Sequence, residues 1–155
     1  MLSVIFACDL SNKNGNNSNN SNGNKNKNQN TSEALPTPNR PADAQVYIER
    51  IYMAKDDNGQ PGAETVLYEP GDHKVHCLIY LNKARKGTLI RFVWKILDVE
   101  GTRNQEITTT EYPTNSFENK IHGHLERQLD WPRGTYRVEV YINGYLDKTI
   151  DYTIG

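Results

Sequence analysis

The chain has 155 residues, of which 35% are hydrophobic, and a net charge of −1 from 18 basic and 19 acidic side chains. This length suits one domain. The balanced charge, without a basic block or an acidic tail, excludes the usual signature of a nucleic-acid-binding protein, and we expect no nucleic acid partner. No run of 18 apolar residues occurs in the sequence, so no membrane-spanning helix is predicted.

The N-terminal segment is mostly apolar and reaches the first of two cysteines at Cys8. Its ending, Ile5-Phe6-Ala7-Cys8, resembles the lipobox of bacterial lipoproteins, in which a small residue precedes the cysteine that becomes acylated. Only seven residues precede Cys8 and none of them is basic, so we interpret residues 1–8 as the end of a signal peptide that starts upstream. An ordinary apolar N-terminus that contains a cysteine by chance is the alternative. The resemblance implies lipidation of Cys8 and anchoring to a bacterial membrane outside the cytoplasm, in the periplasm or on the cell surface.

Residues 9–44 are predicted to form a disordered tether. Eleven of the twenty residues from 11 to 30 are Asn, and none of the twenty is aliphatic or aromatic. Such a segment has no side chains whose burial could offset the entropy lost when the backbone becomes ordered. Pro36, Pro38 and Pro41 then stiffen the approach to the folded part.

Residues 45–155 read as a single all-β domain. Apolar and polar residues alternate over 74–82, 88–97 and 136–142, which is typical of strands with one buried face. Turn residues occur at 56–59, at Pro61-Gly62 and at Asn143-Gly144, and the Thr-rich segment 105–111 resembles an edge strand. Leu129 is assigned to the inward face of a strand that begins at Ile121. We predict seven or eight strands in a two-layer antiparallel sandwich.

Three positions in this pattern resemble those of an immunoglobulin-like (Ig-like) or fibronectin type III-like domain. Cys77, Trp94 and the segment Tyr136-Arg137-Val138 stand where such a domain has its strand-B core residue, its strand-C tryptophan and its tyrosine corner. The resemblance extends over residues 46–154. It implies that the Tyr136 hydroxyl bonds to the backbone a few residues upstream. It also implies that Val138 replaces the second half-cystine, so that Cys77 is a free, buried residue.

No catalytic motif is present, and we expect neither enzymatic activity nor a cofactor. The four histidines are the candidate metal ligands, because imidazoles bind zinc and copper. His122 and His124 are two residues apart on a strand and therefore share an outward face, whereas His73 and His76 are three apart. A metal site requires that folding bring the two pairs together. Asp56-Asp57-Asn58 before Gly59 is interpreted as a turn, since it lacks the other ligands of a calcium loop.

Five outward residues of two neighbouring strands form the candidate binding face. They combine charge with an exposed tyrosine, which suits recognition of an envelope protein or a glycan. They are Arg91, Lys95, Arg137, Glu139 and Tyr141. The alternative is that they are ordinary cross-strand pairs that keep the sheet soluble. Loops 56–62 and 113–119 are competing sites.

We therefore predict a non-catalytic cell-envelope lipoprotein whose Ig-like domain mediates protein–protein contact or assembly. Two other functions stay open at this point. One is a carbohydrate-binding module, and the other is a periplasmic metal-binding protein. A glycan and an envelope protein are both expected as partner classes, together with the membrane that holds the lipid.

Overall fold

The computed structural model describes residues 34–155, so the predicted signal segment, the lipidation site at Cys8 and the tether up to residue 33 lie outside the described residues. Residues 34–155 form nine strands and no helix, and they therefore include no helix that could cross a membrane. The strands are β1 (Ile48–Asp57), β2 (Gln60–Glu64), β3 (Leu67–Tyr68), β4 (Lys74–Leu81), β5 (Leu89–Val99), β6 (Thr102–Pro113), β7 (Lys120–Glu126), β8 (Gly134–Ile142) and β9 (Tyr145–Ile154).

The strands form two sheets that face each other as a sandwich. The first sheet has four strands in the order β2-β1-β4-β7, and the second has five strands in the order β3-β9-β8-β5-β6. All neighbouring strands are antiparallel except β3 and β9, which are parallel. The Thr-rich strand β6 lies at an edge, as its composition predicts. Because β5, β8 and β9 are adjacent while β4 lies in the other sheet, the strand order is that of the predicted Ig-like sandwich.

The core lies between the sheets and is built from the inward rows that the alternation predicts. Trp94 at its centre is completely buried, and its ring and that of Tyr152 form a T-shaped pair at a centroid distance of 6.5 Å. Tyr152 in turn stacks on Tyr136 at 5.3 Å. Cys77 and Val138 are also completely buried. Cys77 is a free thiol, and burial raises its pKa well above the usual value.

The tyrosine corner is present. The hydroxyl of Tyr136 donates a hydrogen bond to the carbonyl oxygen of Pro132 at 2.7 Å, four residues upstream. Tyr136 itself is 1% exposed. The bond ties the loop that enters β8 to the core, and it confirms the role that the resemblance implied for this residue.

Two local expectations were wrong. Pro61 and Gly62 lie inside β2 rather than in a turn, because β2 is an edge strand in which proline need not donate a ladder hydrogen bond. The turn lies at Asn58 and Gly59, within the other predicted turn at 56–59, and these two residues have positive φ angles of 54° and 85°. Leu129 is 69% exposed rather than inward, because β7 ends at Glu126 and the chain has left the sheet.

Candidate functional site

The fold brings the five residues of the predicted binding face together on the outer side of the five-stranded sheet. Arg91 lies opposite Tyr141, and Lys95 lies opposite Arg137 across the β5–β8 ladder. Glu139 lies in the row between these pairs, opposite Val93. The alternation of strand side chains, which predicted this shared face from sequence, places all five residues as expected.

These five residues bond mostly to one another and to their neighbours. The Arg91 guanidinium lies over the Tyr141 ring at 4.3 Å, and the Tyr141 hydroxyl donates to Glu139 at 3.0 Å. Lys95 pairs with Glu139 at 3.2 Å. Arg137 donates two hydrogen bonds, of 2.6 and 3.0 Å, to the carboxylate of Asp151 on β9. Partial burial, the hydrogen bond to Glu139 and the charge of that carboxylate raise the pKa of Tyr141. Such pairing is what cross-strand stabilisation of a sheet requires.

Part of this face lies beneath the segment 34–40. The backbone N–H of Asn39 donates to the carbonyl oxygen of Leu146, and the backbone N–H of Leu146 donates to Asn39 Oδ1, both at 2.9 Å. At its other end, residues 34–36 and the side chains of Lys95 and Asn104 line a shallow depression. The segment therefore passes from the start of β9 towards β5 and β6, across β8. Glu139, on the outer side of β8, is 2% exposed.

A second cluster occupies the outer side of the four-stranded sheet and contains three of the four histidines. His76 on β4 lies directly opposite His124 on β7, and His122 lies two residues earlier on β7. His76 Nδ1 lies 2.6 Å from His122 Nε2, and His76 Nε2 lies 2.7 Å from Asp56 Oδ1. His73 is not part of this cluster, since its Nε2 is 3.0 Å from the Asp130 carboxylate. The structure therefore joins His76 to the second predicted pair and separates it from His73.

The environment of the cluster lowers the pKa of two of its imidazoles. Burial lowers the pKa of His76, although the hydrogen bond to Asp56 and the charge of that carboxylate oppose the shift. Loss of water around the His122 ring, together with the neighbouring His76 and His124, lowers the pKa of His122 to about 4. Among residues 34–155 no three His, Cys, Asp or Glu side chains stand in a metal-coordinating arrangement as placed.

The predicted loop site 113–119 presents a residue that the sequence analysis did not single out, Phe117. This side chain is 95% exposed. The loop around it is held by hydrogen bonds, since Glu118 accepts from the Tyr112 hydroxyl at 2.7 Å and from the Asn115 amide at 2.8 Å. Thr114 is buried and donates to the Arg85 carbonyl at 2.6 Å. The only sequence signal was one aromatic residue among polar neighbours in a loop.

The comparisons with known proteins bear on the fold. The chain matches no family model and none of the curated proteins. Among solved structures it is similar to an immunoglobulin-like protein from Pseudomonas aeruginosa, with a TM-score of 0.52 and 15% sequence identity. The similarity covers 74% of this chain and 100% of that one. The tyrosine corner, the buried tryptophan and this likeness agree, and the described domain has the immunoglobulin-like fold.

Proposed function

We propose that the chain is a non-catalytic lipoprotein of the bacterial cell envelope whose Ig-like domain mediates protein–protein contact or assembly. The lipobox-like sequence that ends at Cys8 supports the location. Because the Ig-like fold serves many unrelated roles, a partner is indicated by the surface of this domain and not by the fold. The observation that carries it is the exposed apolar end of the domain at Phe117.

An exposed phenylalanine on a fixed loop is a typical binding residue. A large aromatic side chain contributes a large area to an interface and loses little conformational entropy on binding. Phe117 is 95% exposed, and Leu89 and Tyr112, at the adjoining ends of β5 and β6, are 38% and 37% exposed. Because Glu118 and Thr114 already hold the loop, little ordering is required when a partner binds.

The tyrosines support a protein partner more than a glycan. A sugar ring would stack on the free face of an aromatic ring. The structure places cations over these faces instead, with Arg50 4.5 Å from the Tyr52 ring centroid and Arg91 4.3 Å from that of Tyr141. The Tyr112 hydroxyl is bonded to Glu118. Phe117 has no hydroxyl with which to orient a sugar.

Site-specific photo-crosslinking in the cells that make the protein tests this proposal. A benzophenone-bearing phenylalanine analogue is incorporated at residue 117 and, as the matched control, at residue 129. Leu129 is also an exposed apolar residue, but it lies beyond the far end of β7. We expect discrete crosslinked protein species from residue 117 and none of them from residue 129.

Two results would contradict the proposed contact. One is the absence of crosslinked protein at residue 117, and the other is the same set of species at both positions. A glycan-binding assay with the Tyr112→Ala and Tyr141→Ala variants addresses the carbohydrate alternative. Binding that these variants lose would favour it over protein contact.

The lipid anchor is tested separately. Metabolic labelling with an alkyne-bearing fatty acid should modify the wild-type protein and leave the Cys8→Ser variant unmodified. The same variant should leave the membrane fraction. A full-length native protein found in the cytosol with an unmodified Cys8 thiol would refute the anchoring, whatever the crosslinking shows.

A further inference from the structure

Three histidines converge on one solvent-facing patch of the four-stranded sheet. His122 and His124 project from the same side of the edge strand β7 and are exposed, and the buried His76 projects from β4 directly opposite His124. On one face of a sheet, a side chain lies closest to the residue two positions away on its own strand and to the residue directly opposite on the neighbouring strand. The three imidazoles of this patch therefore all project from two paired strands and not from loops.

The three rings lie within about 1 Å of the separations around a tetrahedral metal ion, and the side chains must shift to reach them. A tetrahedral Zn²⁺ with nitrogen ligands at about 2.1 Å places imidazole centroids roughly 5 Å apart. The measured centroid distances are 4.7 Å for His76 and His122, 5.7 Å for His122 and His124, and 6.1 Å for His76 and His124. Binding requires that the exposed His124 ring approach the other two. It also requires that His76 Nδ1 and His122 Nε2, which are 2.6 Å apart, separate to about 3.4 Å, the distance between two nitrogen ligands of a tetrahedral ion.

Asp56 orients the buried member of the group. Its carboxylate is 2.7 Å from His76 Nε2, and because a carboxylate only accepts, His76 carries its proton on Nε2. The lone pair of His76 then lies on Nδ1, which faces His122 Nε2 at 2.6 Å. A carboxylate behind a histidine in this way is the usual outer partner of a metal ligand. Asp56 is itself held by the Gly59 amide, at 3.0 Å from Oδ2.

We propose that His76, His122 and His124 bind a divalent transition-metal ion that prefers imidazole, of the Zn²⁺ and Cu²⁺ class, with Asp56 orienting His76. Three nitrogen ligands leave a fourth position for water or for a donor from a partner. Lys74 is the nearest cation on β4, and it is paired with Glu126 at 2.9 Å. This pairing reduces its repulsion of a bound cation.

Calorimetric titration of the full-length chain, without a histidine tag, with ZnCl₂ and with CuCl₂ tests the site. The Cys8→Ser background leaves Cys77 as the remaining cysteine of the sequence, and Cys77 is buried. We expect one ion per chain with a dissociation constant of about 1 μM or tighter. Replacement of Zn²⁺ by Co²⁺ should give the visible absorption bands of a tetrahedral complex.

The variants separate a built site from scattered histidines. His122→Gln and His124→Gln lie on the exposed side of an edge strand, so both should fold, and each should weaken binding by more than about 100-fold. Asp56→Asn should weaken it by about 10- to 100-fold without abolishing it. His73→Gln, the matched control outside the cluster, should bind as the wild type does. No binding by the wild type at about 1 mM metal, or unchanged binding by the His122→Gln/His124→Gln double variant, would overturn the proposal.

Discussion

Gly134 is the first residue of β8, and its replacement by alanine should strongly destabilise the domain. The φ angle of Gly134 is +151°, in a region that residues with a side chain rarely adopt. A Cβ atom at this position would also overlap the carbonyl oxygen of Asp98 and lie 2.7 Å from Val99 Cγ2. The Asp98 oxygen belongs to the backbone of β5 and cannot turn away as a side chain could.

The expected magnitude of the Gly134→Ala effect follows from these two contributions. The backbone conformation costs about 1–3 kcal/mol and the overlap another 1–3 kcal/mol, a total of roughly 2–6 kcal/mol. For a domain of this size, 1 kcal/mol corresponds to roughly 4 °C in Tm. The melting temperature should therefore fall by about 8–24 °C.

Thermal unfolding followed by circular dichroism measures the effect, and Gly71→Ala is the matched control. At Gly71 the φ angle is not positive, and an added Cβ would meet no atom within 4 Å. This control should melt within about 2 °C of the wild type. If Gly134→Ala also melts within about 2 °C of the wild type, the close approach of β8 to β5 is not as described.

Three further predictions concern the tyrosine corner, the buried cysteine and the pH dependence of stability. Tyr136→Phe removes the hydrogen bond to the Pro132 carbonyl and should lower the free energy of unfolding by about 1–3 kcal/mol. Urea unfolding should show a lower midpoint with an unchanged m-value, and an unchanged midpoint would contradict this prediction. Cys77 should resist alkylation in the folded protein and react only in denaturant, because it is buried and burial raises its pKa; fast labelling of the native Cys8→Ser protein would refute this. Partial burial opposes ionisation of Asp72, but hydrogen bonds from Lys55 and the Glu69 amide outweigh it and lower its pKa. The ionised Asp72 should contribute fully to stability above the unfolded pKa of 3.8, and this contribution should be lost as the pH falls through the lower folded pKa. The free energy of unfolding of Asp72→Asn should therefore depend less on pH in this range than that of the wild type.

The sequence predicted the sandwich because strand periodicity is local. Alternating apolar residues in β4, β5 and β8 define an inward row without any knowledge of the partner strand. The same alternation placed Arg91, Lys95, Arg137, Glu139 and Tyr141 on one outer face. Leu129 was misplaced because the periodic pattern does not show where a strand ends, and the chain left β7 three residues earlier.

The histidine cluster could be only half predicted. His122 and His124 share a face by their spacing, whereas His73 and His76, three apart, do not share one on an extended chain. The partner of His76 is decided by the β4–β7 register, which places His124 opposite it. The role of Asp56 depends on β1 lying on the other side of β4, and nothing near residue 56 in the sequence indicates this.

What the sequence by itself determined is the direction of side chains along the strands, and with it the all-β class and the inward core; the resemblance to Ig-like domains implied the tyrosine corner. What only the tertiary structure decided is which outward groups meet, such as Asp56 with His76, and which surface the segment 34–40 covers. Asn39 and Leu146 are 107 positions apart and still exchange hydrogen bonds. Side-chain direction depends on a residue and its neighbours in sequence, whereas such contacts depend on strand register and sheet order, which arise from the packing of the whole chain.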